Sequence, residues 1–294
     1  MCISPFDQQP KRVATIVIPI RARKTSEDSL QRLNRLMTVI PDIFEVIVVD
    51  DGSSSAVRRY LHENIPKRPD ALCISLNTRW RRFSLSRSRN SGAAAAKSSV
   101  VIFHDVDFIG TAILYQKLSS LIAERNIADK PENFFCVPVA FLNEHGTTRY
   151  LNDFGDQLNF NKWSFRNSAP ELDENILHFV KGSSCIVINK QQLIKLGGHD
   201  ESYYGHGAED FELLHRLGEL YPISKKPVDY SINTGSGPIH SYRGFRAYFA
   251  LYGEQAFKAG VVIVHLYHPK RKVWGYYQHR RNFSKLKRLM ERDS

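Results

Sequence analysis

The chain has 294 residues, 42% of them hydrophobic, enough to bury a sizeable core as one large domain or a domain with an appendage. No stretch approaches the ~20 uninterrupted apolar residues that span a bilayer, and Met1 to Pro10 lacks the basic-then-apolar pattern of a secretion signal, so the expected location is the cytoplasm. A formal net charge of +11 implies anionic partners, and with no recognised nucleic-acid module along the chain the expected ones are phosphorylated small molecules or an anionic membrane face.

Strand and helix signals alternate through the first half. Val13 to Pro19 reads as a strand, and Leu30, Leu33, Met37 and Ile40 recur at helical spacing behind Ser26, a candidate N-cap. Phe44 to Asp50 is a second strand that stops at Asp51-Gly52-Ser53-Ser54, and Ala71 to Leu76 is a third. Ser86 to Lys97, with four consecutive alanines, predicts a helix packed closely on a sheet. It leads into the run Val100 to Phe108, a buried apolar strand that ends in two carboxylates one residue apart, ahead of a helix over Thr111 to Ile122. This alternation predicts an α/β domain whose mostly parallel sheet is flanked by helices, with a ligand crevice at the carboxyl ends of the strands. Asp50, Asp51, Asp105 and Asp107 fall at those ends.

The second half is less regular. Phe134 to Phe141 reads as one strand, Asn143 to Ser168 as a polar and aromatic loop region, and Ser183 to Asn189 as a short strand. A short helix closes at Gly197-Gly198, another covers Glu209 to Leu217, and Val261 to Pro269 is a late strand carrying His265 and His268. After Phe283 a helix would gather Leu286, Leu289 and Met290 on one side with lysines and arginines around them, a pattern compatible with lying on anionic lipid. The layout is a tail over 1–12, a single domain over 13–269 with halves at 13–110 and 111–269, and a basic extension over 270–294. The cysteines at 2, 73, 136 and 185 are scattered singly and read as neither a zinc site nor a disulfide framework.

Asp105 and Asp107 carry the strongest chemical signal. Two carboxylates one residue apart at a strand end repel each other and resist burial unless a cation or a set of hydrogen bonds compensates them. A divalent metal is the simplest compensation; turn carboxylates or helix caps ahead of Thr111 are the plain alternative.

The ordered motifs Val-Ile-Pro, Val-Val-Asp-Asp-Gly-Ser, Arg-Asn-Ser-Gly-Ala, Asp-Val-Asp and Gly-Gly-His-Asp-Glu-Ser-Tyr-Tyr-Gly-His-Gly-Ala-Glu-Asp resemble nucleotide-sugar glycosyltransferases of the GT-A fold. The front half is similar to family 2, and the latter half to the galactosyltransferase region of β-1,4-galactosyltransferases and chondroitin-polymerase-like enzymes. The resemblance implies a GT-A, Rossmann-like domain that uses a UDP-sugar donor and a manganese ion, with magnesium as the other option. Its acceptor would be a glycan or lipid-linked saccharide in polysaccharide biosynthesis, and its setting the inner face of the cell membrane. It implies a nucleobase contact from Asp51 or Asp50, a diphosphate clamp from Arg21 and Arg23 beside Pro19, and donor contacts from Phe83, Arg89 and Gly207. Asp105 would accept from the ribose or donor sugar or join the metal, which Asp107 and one or both of His265 and His268 would hold. Asp210 would be the general base and Glu209 would orient the acceptor, giving inversion. A catalytically silent nucleotide- or glycan-binding protein of the same fold is the alternative. His206 stands where tryptophan is usual, weakening sugar stacking that Tyr203, Tyr204 and Trp163 would restore, and His104 places a titratable ring beside the metal.

Overall fold

The computed structural model describes residues 12–154, 163, 170, 173–234, 241–270 and 276–293. Eleven strands occur among them. They are β1 (Ala14–Ile20), β2 (Phe44–Asp50), β3 (Ala71–Ser75), β4 (Val100–Phe103), β5 (Phe108–Ile109), β6 (Phe135–Cys136), β7 (Val139–Leu142), β8 (Ile176–Val180), β9 (Ile186–Asn189), β10 (Asn233–Thr234) and β11 (Ile263–His265). The main sheet has the order β3-β2-β1-β4-β9-β6, parallel from β3 to β4 and antiparallel at β9. Every residue of β1 and β2 is buried, which explains their unbroken apolar runs. The two faces divide by the period of two. Ile16, Ile18, Val46 and Val48 enter one core cluster, while Val17, Ile47 and Val49 enter the other.

The alanine-rich helix is Leu85–Ala95, and it lies tightly on the second face. A Cβ at Gly92 would stand 2.3 Å from Val17 Cγ1, so only glycine permits this approach. The mixed α/β sheet flanked by helices is the architecture read from the sequence.

Four local readings are corrected. Phe134 to Phe141 is two strands in two sheets: β6 ends the main sheet, while β7 joins a second sheet of order β5-β11-β7-β8. The break falls at Val137-Pro138, because proline lacks the N–H a continuing ladder requires. The Val137 N–H donates to Cys185 O at 2.8 Å, whereas the Pro138 carbonyl accepts from Ile263 N at 2.9 Å. The supposed loop after Asn143 begins as a helix, Glu144–Asp153, capped by the Asn143 side chain, which accepts from Gly146 N. The rest of that reading falls largely outside the described residues. The first helix, Asp28–Val39, starts behind Glu27 rather than Ser26, and the Glu27 carboxylate accepts from the N–H groups of Arg23 and Lys24.

The fourth correction concerns the C-terminal helix, His279–Arg292. Leu286 and Met290 are fully buried in the second core cluster, and the helix packs on Glu209–Leu220. Its apolar side is therefore covered by protein and is not available to lipid. No helix among the described residues is long and apolar enough to cross a membrane.

Candidate active site

β1, β2 and β4 end on one edge of the main sheet, with Ile20 opposite Asp50 and Val17 opposite Phe103. A cavity of about 680 Å³ opens beyond that edge. Of the residues singled out in the sequence, Pro19, Phe83, Asp105, Asp107, Gly207, Asp210, His265 and His268 border it. Arg21, Arg23, Asp50, Asp51, Arg89 and Glu209 do not.

Antiparallel pairing of β5 with β11 puts Phe108 opposite His265, and Leu266 N donates to Asp107 O at 2.9 Å. The strand stops at His265, so the following turn swings His268 back until its Nε2 lies 3.4 Å from Asp107 Oδ2. Ligand atoms of Asp107, His265 and His268 fall within 4.8 Å of one another, the one such cluster among the described residues. Burial pushes the His265 imidazole down to about 4, so it is neutral at pH 7 and carries a lone pair. One carboxylate oxygen and two imidazole nitrogens could hold a divalent metal cation.

Arg32, absent from the sequence reading, braces this cluster from the first helix. It is buried, donates to Asp107 Oδ1 at 2.7 Å and to the carbonyls of Leu266 and Tyr267 at 3.2 and 2.7 Å. Asp107 therefore keeps Oδ2 toward the histidines while Oδ1 is fixed from behind.

Asp105 turns away from the cluster. Its Oδ1 accepts from Arg89 Nη2 at 2.9 Å and its Oδ2 from Ser184 Oγ at 3.1 Å, so hydrogen bonds compensate this carboxylate. Burial alone would raise the Asp105 pKa, but Arg89 and Ser184 reverse the effect and hold it below the ordinary value. Arg89 is itself fully buried, with Nη1 3.8 Å from Glu209 Oε1. Desolvation would lower its pKa, and the Asp105 and Glu209 carboxylates outweigh that and raise it.

His104 also proves inert: burial lowers it to about 4. Its Nδ1–H donates to the Asp105 carbonyl at 2.9 Å, leaving Nε2 to accept from the Tyr115 hydroxyl at 3.0 Å.

Glu209 and Asp210 open the helix Glu209–Leu220 behind a loop whose Ala208 has φ +70° and Gly207 φ +124°. A Cβ at Gly207 would meet His279 Cδ2 at 2.6 Å. Glu209 folds beneath this loop, accepting from Gly207 N at 2.8 Å, and does not face the cavity. Burial first, and the neighbouring Asp210 second, push its carboxyl well above the ordinary range. Asp210 faces the cavity.

The C-terminal segment, read from sequence as an extension, supplies the opposite wall. His206 N donates to Tyr276 O at 2.7 Å and Gln278 N to His206 O at 3.1 Å, so the segment pairs with the loop ahead of Glu209. Tyr276 stacks between Phe83, at 6.0 Å, and the His206 ring, at 5.8 Å. These rings and Tyr277 are part of the cavity's aromatic lining. Tyr203, Tyr204 and Trp163 do not: Tyr203 is buried under Lys285, Tyr204 lies between Arg82 and Arg281, and Trp163 packs edge-on against Tyr150. The adjacent tyrosines at 276 and 277 were the available signal, obscured by the basic composition around them.

The remaining polar residues at the strand ends hold the loops together. Asp51 is fully buried and accepts from Thr78 Oγ1, Ser84 N and Arg87 Nη2 at 2.6, 2.8 and 2.7 Å. Asp50 Oδ1 accepts from Ser53 N at 2.7 Å, closing the turn. Arg21 donates to the carbonyls of Gly52, Thr78, Arg79 and Arg81 at 2.9–3.3 Å, and Arg23 to Gly52 O at 3.3 Å. In this structure the pair ties the 78–81 loop to the sheet.

Among solved structures, Staphylococcus aureus TarS 1–349 is 17% identical with a TM-score of 0.48, over 70% of this chain and 55% of that one. The same fragment in complex with UDP gives 18% and 0.48 over 71% and 54%. The Pyrobaculum calidifontis mannosyltransferase PcManGT, in complex with GDP-Man and Mn2+, is 16% identical with a TM-score of 0.45, over 92% and 62%. The chain spans about half the length of the TarS fragment. No curated protein matches it significantly. A family model described as "Glycosyltransferase like family 2" matches residues 15–290, a span that holds both sheets, the whole cavity wall and the C-terminal helix through Met290. The chain belongs to the glycosyltransferase like family 2.

Proposed function

We propose that the protein is a metal-dependent, inverting glycosyltransferase that moves a sugar from a UDP-sugar to a hydroxyl of a glycan or lipid-linked saccharide, with Asp210 as general base. The observation that carries this reading is that the Asp107–His265–His268 cluster and Asp210 border one and the same cavity. Asp107, His265 and His268 would hold manganese or magnesium, which when bound would supply positive charge to the donor diphosphate. Arg32 keeps the Asp107 carboxylate aimed at that position, and Asp105, already fixed by Arg89 and Ser184, presents its remaining lone pairs to a ribose or sugar hydroxyl. Phe83, Tyr276 and His206 offer stacked ring faces to the donor.

Asp210 takes the proton of the acceptor hydroxyl as its oxygen bonds to the anomeric carbon and the bond to the diphosphate breaks. Among the described residues, the other carboxylates bordering the cavity are Asp105, paired with Arg89, and Asp107, tied to Arg32, which favours one displacement with inversion. Glu209, buried beneath the loop, holds Gly207 and so positions Asp210.

A panel of nucleotide sugars incubated with manganese, magnesium or chelator tests the reading by UDP release, which requires no known acceptor. Release from one UDP-sugar, lost with chelator and in Asp107→Asn, is expected, together with a rise in melting temperature on adding manganese to the wild type alone. Binding of UDP without release from any donor would point to a silent binding protein, and an Asp210→Asn protein transferring sugar at the wild-type rate would refute the base.

A further inference from the structure

Arg246 borders the cavity, packs against several aromatic rings and, among the described residues, has no carboxylate within ion-pairing distance. Its guanidinium lies 4.7 Å from the Phe211 ring centre and 5.8 and 5.9 Å from those of Phe245 and Phe283. Three ring faces hold its plane, so it is not a loose surface arginine. Nε donates to Asn233 Oδ1 at 2.6 Å, the single hydrogen bond it makes among the described residues, and no carboxylate there lies within ion-pairing distance. The 235–240 stretch next to Asn233 contains no acidic residue. Its two terminal nitrogens remain for a ligand. Burial lowers the Arg246 pKa, with the Asp210 charge only partly offsetting that cost.

Its place identifies which ligand. Phe211 directly follows the proposed base, so Arg246 flanks Asp210. It is separated from the metal cluster by a row of stacked rings: His265 on Phe141 at 4.6 Å, and Phe141 on His178 at 4.2 Å, with His178 feeling the Arg246 charge. The diphosphate belongs at the His265 end and the acceptor at the Asp210 end. Arg280 and His279 border the cavity as well, adding basic groups.

Resting on the glycosyltransferase reading, we infer that the acceptor is a saccharide bearing an anionic group, a carboxylate or a phosphate, and that Arg246 receives that group through its two terminal nitrogens. A guanidinium fork matches either anion bidentately, and the low-dielectric wall of phenylalanines strengthens the pairing. A neutral saccharide would leave this half-buried, ring-packed charge without an anion.

The test uses the full chain with its manganese-dependent UDP-sugar and three acceptor probes of equal length: a glucuronate-terminated, a glucose phosphate-terminated and a glucose-terminated oligosaccharide. Binding is read by calorimetry and transfer by UDP release. One anionic probe should bind roughly 10- to 100-fold tighter than the neutral one, the scale of a charge-assisted hydrogen-bond pair. Which probe wins separates carboxylate from phosphate. In Arg246→Met the preference should vanish, and in Arg246→Lys part of it should persist. Equal binding of charged and neutral probes by the wild type overturns the inference even if Arg246→Met does not fold, as does a variant that weakens all three alike. Absence of UDP release from every donor defeats the underlying reading instead.

Discussion

Replacing Arg89 with methionine removes the cation between Asp105 and Glu209 while keeping much of the side chain's volume. At an effective dielectric near 20, contacts of 2.9 and 3.8 Å correspond to about 6 and about 4 kcal/mol of attraction before desolvation is counted. Desolvating three charges opposes most of that, and removing one partner of a buried pair typically costs 3–5 kcal/mol. The expected loss for Arg89→Met is therefore about 4 kcal/mol at pH 8, measured by urea denaturation. The loss should shrink as pH falls through the raised titration range of Glu209, because a protonated Glu209 no longer needs Arg89. A loss below about 1 kcal/mol at pH 8, or one independent of pH, would show that the arginine does not balance these carboxylates.

Glu209 makes a second pH prediction. Its folded-state pKa is raised above the ordinary 4.5, so the stability linked to its proton is fully present below pH 4.5 and is lost as pH rises through the folded value. Glu209→Gln should flatten that decline in a series of urea titrations, and parallel curves for the two proteins would reject it. Leu286→Ala should cost about 2–5 kcal/mol, because the side chain is fully buried against the Glu209–Leu220 helix. A cost below 1 kcal/mol by the same assay would mean that the C-terminal helix stands outside the cooperative unit.

Much of the N-terminal half was legible because its signals are local. The β1 and β2 runs are apolar throughout, and the carboxylates follow where those strands stop. The helix Leu85–Ala95 announced itself by alanines that let it approach Val17. Harder to read were interactions between segments far apart in sequence. Nothing in Arg32 marks it as the brace of Asp107, because 75 residues separate them and only the fold brings the guanidinium to the carboxylate. Asp50 and Asp51 were visible as acidic residues at a strand end, but not the hydrogen bonds from Ser53, Thr78, Ser84 and Arg87 that occupy them. The Phe134 to Phe141 run misled because one proline decides between one strand and two. In the tail the apolar stripe was visible, but the basic residues around it suggested lipid where the partner of Leu286 and Met290 is protein.

The stitching of the loop before Glu209 to the C-terminal segment has a consequence for synthesis. Asn282 Nδ2 donates to Gly207 O at 2.8 Å across 75 residues of chain. At translation rates of about 5–20 residues per second, roughly 4 to 15 s separate the appearance of the two ends of that bond on the ribosome. During that interval the nascent polypeptide carries the β1–β4 half complete while the loop ahead of Asp210 has yet to meet its clasp, so that loop gains this anchor only after Asn282 has emerged.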